Sequence, residues 1–255
     1  MKKEPFIDFN GKRIVVTGAS SGIGQAISIE LGGLGAGLVL IGRNKERLEE
    51  TAAKLGPAEC HILCLDLVNF SEIFSEMKNL AKNVGRIYGL CHCAGIVETR
   101  PLTSFKAEKM AGLMDVNLIS GLELARVICR RDIMEEEGGA ILFISSIYGT
   151  VGMAGQIAYS ASKGAVIAAA RSMAIELARK NIRVNTLSPG LVRTAMTEKA
   201  FSVLSEEQVR EIEKSFPLRT GTPEDVARAA AFLLAPQNSW ITGVDLRIDG
   251  GYTAQ

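Results

Sequence analysis

In the run AYSASKGA, residues 158 to 165, Tyr159 stands four positions before Lys163. On a helix that spacing stacks both side chains on one face. Their neighbours Ala158, Ser160, Ala161, Ser162, Gly164 and Ala165 are all small, which clears space around the pair. A free phenol, with a pKa of about 10, is a poor base at neutral pH. A neighbouring ammonium favours the phenolate and lowers that value. Such a pair suits giving a proton to a carbonyl oxygen or taking one from an alcohol. Just upstream, GGAILFISS ends in Ser145 and Ser146. A hydroxyl at that strand end can hydrogen-bond a reacting oxygen and polarise it. Alone, Y-x-x-x-K is a weak signal that also describes ordinary surface pairs; the serine and a glycine-rich turn give it weight.

That turn is TGASSGIG, residues 17 to 24. Gly18, Gly22 and Gly24 remove side chains where a backbone must turn and approach a ligand closely. The turn follows a strand-like run and opens a helical one, so helix-start amides face an anion. This placement marks a dinucleotide site. The next strand ends L-I-G-R-N, with Gly42 where a carboxylate for ribose hydroxyls would stand, and Arg43 after it. An arginine there suits a 2′-phosphate. The expected cofactor is therefore NADP(H), with NAD(H) as the second choice and Ser20 or Asn44 assisting Arg43. The plainer reading of Arg43 is a solvated side chain at a helix start. Asp66 ends the third strand, where it would meet the adenine amino group or cap the following helix.

The elements that must position these residues alternate. Strand-like runs at 12 to 18, 37 to 42, 59 to 67, 86 to 95, 138 to 146, 182 to 190 and 244 to 251 are separated by helical patterns. Helices are expected at 22 to 34, at 44 to 55, from Asn69 or Ser71 to Asn83, through Asp115 and Asn117 toward Met134, at 157 to 179 and at 222 to 235. The alternation predicts an α/β fold: a Rossmann-type three-layer sandwich, with a seven-stranded, mostly parallel sheet and helices on both faces. Non-alternating apolar strands such as ILFIS fit a sheet covered on both sides. The chain reads as a single domain over 1–255. Its longest irregular stretch, about 191 to 221, carries Met196, Phe201, Val203 and Leu204 amid charges. It is either a substrate lid or an ordinary helical excursion packed on the body.

Composition narrows the function. Hydrophobic residues make up 47% of the 255 and charged ones 22%, as in globular chains. A net charge of +1 provides no broad field for nucleic acid or anionic membrane. MKKEPFIDFNGK lacks the apolar run of a signal peptide, and Arg171 and Glu176 break the alanine-rich run near 165 to 178. The expectation is a cytoplasmic protein without a membrane span. The cysteines at 60, 64, 91, 93 and 129, with His61 and His92 among them, give C-H-x-x-C and C-H-C, which fit no common zinc spacing. No metal site is expected; they read as buried, reduced cysteines.

Taken together, TGASSGIG, ISSIYG, YSASK, MDVNL and SPGLVRT resemble the motifs of the short-chain dehydrogenases/reductases. The resemblance runs over nearly the whole chain, from TGASSGIG to DGGY. It implies a cofactor turn lined by Gly18, Ser20, Ser21, Gly22, Ile23 and Gly24, with Asp66 and Leu67 at the adenine. It makes Ser146 the carbonyl-polarising serine and Tyr159 the acid and base. Lys163 would also bind the nicotinamide ribose, and Asn117 would hold a water in a proton relay. Ala94 and Gly95 would line the cofactor, with Pro189, Gly190, Val192 and Thr194 at the nicotinamide carboxamide. One departure stands out. The family's N-N-A-G is here His92-Cys93-Ala94-Gly95, which removes side-chain amides that tie strand four to its neighbours. His92 is then either a packed, locally bonded histidine or a catalytic group.

GQIAYSASKG and PGLVRTAMTE look most like the family's 3-oxoacyl-carrier-protein reductases. Those enzymes tend to carry basic residues just before strand five and within the long helix. Here those places read Glu135-Glu136-Glu137 and Ile175. Three carboxylates would repel an acidic carrier, although Arg130 and Arg131 are close by. The expected activity is NADPH-dependent interconversion of a small free ketone and a secondary alcohol. A carrier-bound β-keto thioester, with acyl carrier protein as partner, is the alternative, and a non-catalytic NADPH-binding regulator is a third reading. The resemblance also implies a homotetramer, with AVIAAA (165 to 170) permitting close helix packing.

Overall fold

The computed structural model describes residues 6–255, apart from the side chain of Met196. The first five residues of MKKEPFIDFNGK, the stretch considered for a signal peptide, lie outside the described residues, as does the expected apolar contribution of Met196.

The strands are β1 (Arg13–Thr17), β2 (Gly37–Gly42), β3 (Cys60–Cys64), β4 (Gly89–His92), β5 (Gly139–Ile144), β6 (Ile182–Pro189) and β7 (Asp245–Ile248). They form one seven-stranded sheet in the order β3-β2-β1-β4-β5-β6-β7. Every pairing is parallel. The helices are α1 (Gly22–Gly33), α2 (Lys45–Ala52), α3 (Phe70–Val84), α4 (Ala107–Met114), α5 (Ser120–Ile128), α6 (Ile157–Leu177), α7 (Ala195–Phe201), α8 (Glu206–Lys214) and α9 (Pro223–Leu234).

Strand periodicity explains the layers. Successive side chains leave opposite faces of a strand, so Ile14 and Val16 enter one core while Val15 enters the other. The first core joins Leu38, Leu40 and Leu142 to Ile27 and Leu31 of α1 and to Ala227 and Ala231 of α9. The second joins Val39, Ile141 and Phe143 to Met77 of α3, Leu124 of α5 and Val166 of α6. Being covered on both sides, β5 is buried at every position, which is why its sequence does not alternate. The strand order reverses between β1 and β4, and a parallel sheet opens a crevice there, beyond the carboxyl ends of its strands.

The structure corrects several boundaries. β4 covers only Gly89–His92 of the expected 86 to 95, because Cys93 and Ala94 bond a side chain instead of a strand. The helix expected to run through Asn117 toward Met134 is interrupted by a π-helical turn, Asp115–Ile119, and ends at Ile128. From the first residue of α5 the Ser120 hydroxyl donates back to the Val116 carbonyl of that turn at 2.7 Å. Asn69 occupies the cap position of α3 without a side-chain bond. The excursion after β6 holds α7 and α8, each opened by a capping box, from Thr194 with Thr197 and from Ser205 with Gln208.

Candidate active site

At the crevice, the glycine turn is shaped by steric necessity. A Cβ on Gly24 would lie 2.3 Å from the Gly18 carbonyl oxygen, so only glycine lets α1 begin there. Gly18 has φ +64° and its missing Cβ would sit 3.0 Å from Ala94 N, bringing the turn against the segment after β4. Gly22 faces Thr194, whose Cγ2 would be 3.4 Å from a Cβ. Three of the expected cofactor segments therefore meet around one turn. Ser21 caps α1 by position and makes no side-chain cap bond, leaving its hydroxyl available to an anion at the helix start.

Gly95 links this cradle to the acid–base pair. A Cβ there would lie 3.3 Å from Asn117 Oδ1 and 3.4 Å from Lys163 Nζ. Lys163 is 5% exposed, and its ammonium donates to the Ile144 carbonyl at 2.8 Å. It stands 5.7 Å from the centre of the Tyr159 ring. The two candidate serines separate by role. Ser145 donates to the Lys163 carbonyl at 3.0 Å, fastening α6 to β5. Ser146 Oγ accepts from Tyr148 N at 3.2 Å, and its hydroxyl is close enough to the Tyr159 phenol to favour ionisation.

The expected depression of the tyrosine pKa is not found. Burial pushes the Tyr159 phenol up to about 12, and the Ser146 hydrogen bond only partly opposes this. Burial likewise pulls Lys163 down to about 8. Each group has lost hydration, and the ammonium points to the Ile144 carbonyl, so desolvation wins over attraction.

Asn117 is fully buried, and its amide is committed to the protein. Nδ2 donates to the Ile96 carbonyl at 2.9 Å and to Ser162 Oγ at 3.0 Å, and Oδ1 accepts from Ile96 N at 2.8 Å. Thr17, which the sequence reading passed over as a candidate, organises the other side. Its hydroxyl oxygen accepts from Cys93 N and Ala94 N, both at 3.0 Å. Its proton then goes to His92 Nδ1, 3.1 Å away, which fixes the tautomer protonated at Nε2. His92 is 2% exposed, and burial next to the Lys163 charge pulls its pKa down to about 3. It is a neutral strut beneath the site. The Thr17 hydroxyl and this imidazole take the place of the missing side-chain amides.

Arg43 and Asp66 lie together at the ends of β2 and β3, Nη1 to Oδ2 being 3.9 Å. Arg43 is exposed, and Leu67 beside Asp66 is buried. Asn44 Oδ1 accepts from Arg47 N at 2.8 Å as the cap of α2, so it is occupied structurally. Asp66 Oδ1 accepts from Val68 N at 3.3 Å, closing a turn before α3. On the opposite strand edge Pro189 ends β6, Val192 is buried, and Thr194 Oγ1 caps α7. A Cβ on Gly190 would come within 3.0 Å of both Asp249 and the Phe216 ring.

One expectation about charge changes. Glu135 pairs with Lys12 at 2.6 Å and Glu136 with Arg86 at 2.8 Å. The acidic triplet also precedes β5, at the end opposite Ser146, so it does not face the crevice. Among the described residues, no three His, Cys, Asp or Glu side chains gather in a way that could hold a metal ion. No described helix is long and apolar enough to cross a membrane.

Comparison with known proteins agrees with this geometry. The profile of the Enoyl-(Acyl carrier protein) reductase family matches residues 18–253. The 3-oxoacyl-(acyl-carrier-protein) reductase FabG of Rickettsia conorii is 36% identical over 246 residues, spanning 96% of this chain and 98% of the relative. Carbonyl reductase family member 4 of Danio rerio is 39% identical over 239 residues, spanning 93% and 96%. A solved short-chain type dehydrogenase/reductase from Mycobacterium ulcerans superposes with a TM-score of 0.90 at 29% identity, over 98% of this chain and 92% of that one. An all-parallel Rossmann sheet, a glycine cradle matched to its neighbours and these relatives together make the chain an oxidoreductase of the short-chain dehydrogenase/reductase family.

Proposed function

We propose that the protein interconverts a ketone and a secondary alcohol with NADP(H), using Tyr159 as general acid and base. The observation that carries this reading is the meeting of Ser146, Tyr159 and Lys163 at the edge of the glycine cradle. The nicotinamide cofactor supplies or accepts the hydride when bound. The amides from Gly18 to Gly24, with the Ser20 and Ser21 hydroxyls, would hold its pyrophosphate. Arg43 would hold the 2′-phosphate, and Asp66 and Leu67 would meet the adenine. Ala94, Gly95 and Lys163 would hold the nicotinamide ribose, and Pro189, Gly190, Val192 and Thr194 the carboxamide. The cradle fits because Gly18, Gly22 and Gly24 let the segment after β4 and Thr194 close around the start of α1, whose backbone amides stay free of side chains there.

In reduction, Ser146 holds the carbonyl oxygen and Tyr159 gives it a proton. A phenol kept protonated up to about 12 is loaded for that direction at neutral pH. Oxidation needs the phenolate, which Lys163 and Ser146 must stabilise. Arg43 reads as the NADP determinant because Gly42 leaves the end of β2 without a carboxylate and the Arg43 guanidinium, only loosely paired with Asp66 at 3.9 Å, is 73% exposed. Arg43→Asp should shift preference toward NADH; an unchanged cofactor ratio would refute this assignment.

A carrier-bound β-keto thioester is the second reading, favoured by relatives that bear the 3-oxoacyl-(acyl-carrier-protein) reductase name. The free ketone is preferred because Ile175, 82% exposed, offers no charge to an acidic carrier. Turnover of free ketones and of an acyl-carrier thioester, each with NADPH, decides between them; a strong thioester preference defeats the free-ketone choice. The reading includes a homotetramer, to be checked by light scattering. It also includes a cytoplasmic location, which suits the free cysteines among the described residues.

A further inference from the structure

Three aromatic residues gather near Ser146 and Tyr159, and none belongs to the proton-transfer set. Tyr148 follows Ser146 by two positions, and its backbone N donates to Ser146 Oγ at 3.2 Å. Its side chain therefore starts from the turn that carries the polarising hydroxyl. Phe216, from the end of the excursion that holds α7 and α8, is buried with its ring 3.0 Å from where a Cβ of Gly190 would be. Tyr252, from the C-terminal segment, stacks on Phe216 with ring centres 4.8 Å apart and planes 26° from parallel. The phenols of Tyr148 and Tyr252 lie within electrostatic reach of each other, as do those of Tyr148 and Tyr159. Segments distant in sequence thus bring rings near Tyr159.

Polar groups nearby are unequal. Gln156, three positions before Tyr159, donates from its amide to Thr99 Oγ1 at 2.7 Å. The other atom of that amide is buried and has no partner. An unpaired buried amide atom is costly unless something bonds it. Three arginines of the neighbouring segments are instead paired off: Arg100 with Glu98, Arg193 with Glu198 and Glu213, and Arg219 with Asp225. These three guanidiniums are therefore committed to carboxylates of the protein rather than free for a carboxylate or phosphate on the substrate.

We infer that Tyr148, Phe216 and Tyr252 form an aromatic wall and Gln156 its polar anchor, selecting an uncharged ketone that carries a flat ring and a hydrogen-bonding substituent. This rests on the proposed ketone reduction and narrows its substrate class. Flat rings gain from offset stacking that a flexible chain cannot match. The far substituent would pair with the unpartnered atom of the Gln156 amide, which that side chain must turn to present.

The test uses NADPH with acetophenone, 4-hydroxyacetophenone and 2-octanone, which are equal in carbon number. Wild-type kcat/KM should favour 4-hydroxyacetophenone over 2-octanone by about tenfold, the scale of a good aromatic contact. Tyr252→Leu and Tyr148→Leu should each bring that ratio toward one, whereas Tyr252→Phe should keep it. Gln156→Leu should erase the gain of 4-hydroxyacetophenone over acetophenone. A wild-type preference for 2-octanone, or a ratio unmoved by both leucine variants, overturns the wall. A hydroxyl gain that survives Gln156→Leu overturns the anchor. Failure of the underlying reading looks different: none of the three ketones would then oxidise NADPH.

Discussion

Tyr159 and Lys163 face opposite demands from the same burial. The phenol is held protonated, up to about 12, while the ammonium is easily lost, at about 8. Removing the phenol hydroxyl alone should therefore separate chemistry from binding. Tyr159→Phe is expected to lower kcat by about 10²–10⁴-fold, the usual value of a positioned acid, with the NADPH dissociation constant nearly unchanged by fluorescence titration. Lys163 behaves differently because its charge would meet the cofactor ribose. Its free-enzyme pKa lies below that of an ordinary lysine, so the charged form is present below about 8 and disappears above it. NADPH affinity should fall as pH rises through that value, and Lys163→Ala should bind weakly with no such step. The pairing of these residues was legible because it lies within one helical turn. Their pKa values were not, since desolvation comes from segments far away in sequence.

At the scale of elements, the segment after β4 depends on a single hydroxyl. Thr17 at the end of β1 receives two backbone amides and serves His92. Thr17→Val keeps the shape but leaves Cys93 N and Ala94 N without their acceptor. A buried unsatisfied donor costs about 1–3 kcal/mol, so chemical denaturation should show a loss of that order. NADPH affinity should also drop, because Gly18 rests against Ala94. Equal stability and affinity in the variant would show that these amides find other partners. Strand–helix alternation gave the element order, and apolar continuity gave the two-sided burial of β5. The π-helical turn was hidden because DVNLI has an ordinary helical composition. Its shape depends on Asn117 bonding Ile96 and Ser162, contacts that no local spacing reveals.

Across the whole molecule, one buried cation joins the sheet to the helical layer at the end away from the crevice. Arg183 sits near the start of β6 and is 7% exposed. Its guanidinium donates to the carbonyls of Leu233, Leu234 and Ala235 at 2.7, 3.0 and 3.0 Å, and to Ile241 O at 3.3 Å. These carbonyls include the last of α9, where a helix dipole favours positive charge. The Tyr88 hydroxyl donates to Leu234 O at 2.9 Å, so the residue leading into β4 joins the same cluster. In sequence, IRVNTLSP marks a strand, but nothing local says that its arginine points inward. Arg183→Met would fill much of the volume and abandon several carbonyls at once. Hydrogen bonds to charged groups contribute about 1.5–3 kcal/mol each when measured by removal, but those carbonyls can partly re-bond to water. A net loss of about 3 kcal/mol would lower Tm by roughly 6–12 °C for a chain of this size. Because β6 separates this cluster from the crevice, the folded variant should bind NADPH as the wild type does. Loss of binding together with stability would mean that the two ends of the sheet are coupled more tightly than their separation along β6 implies.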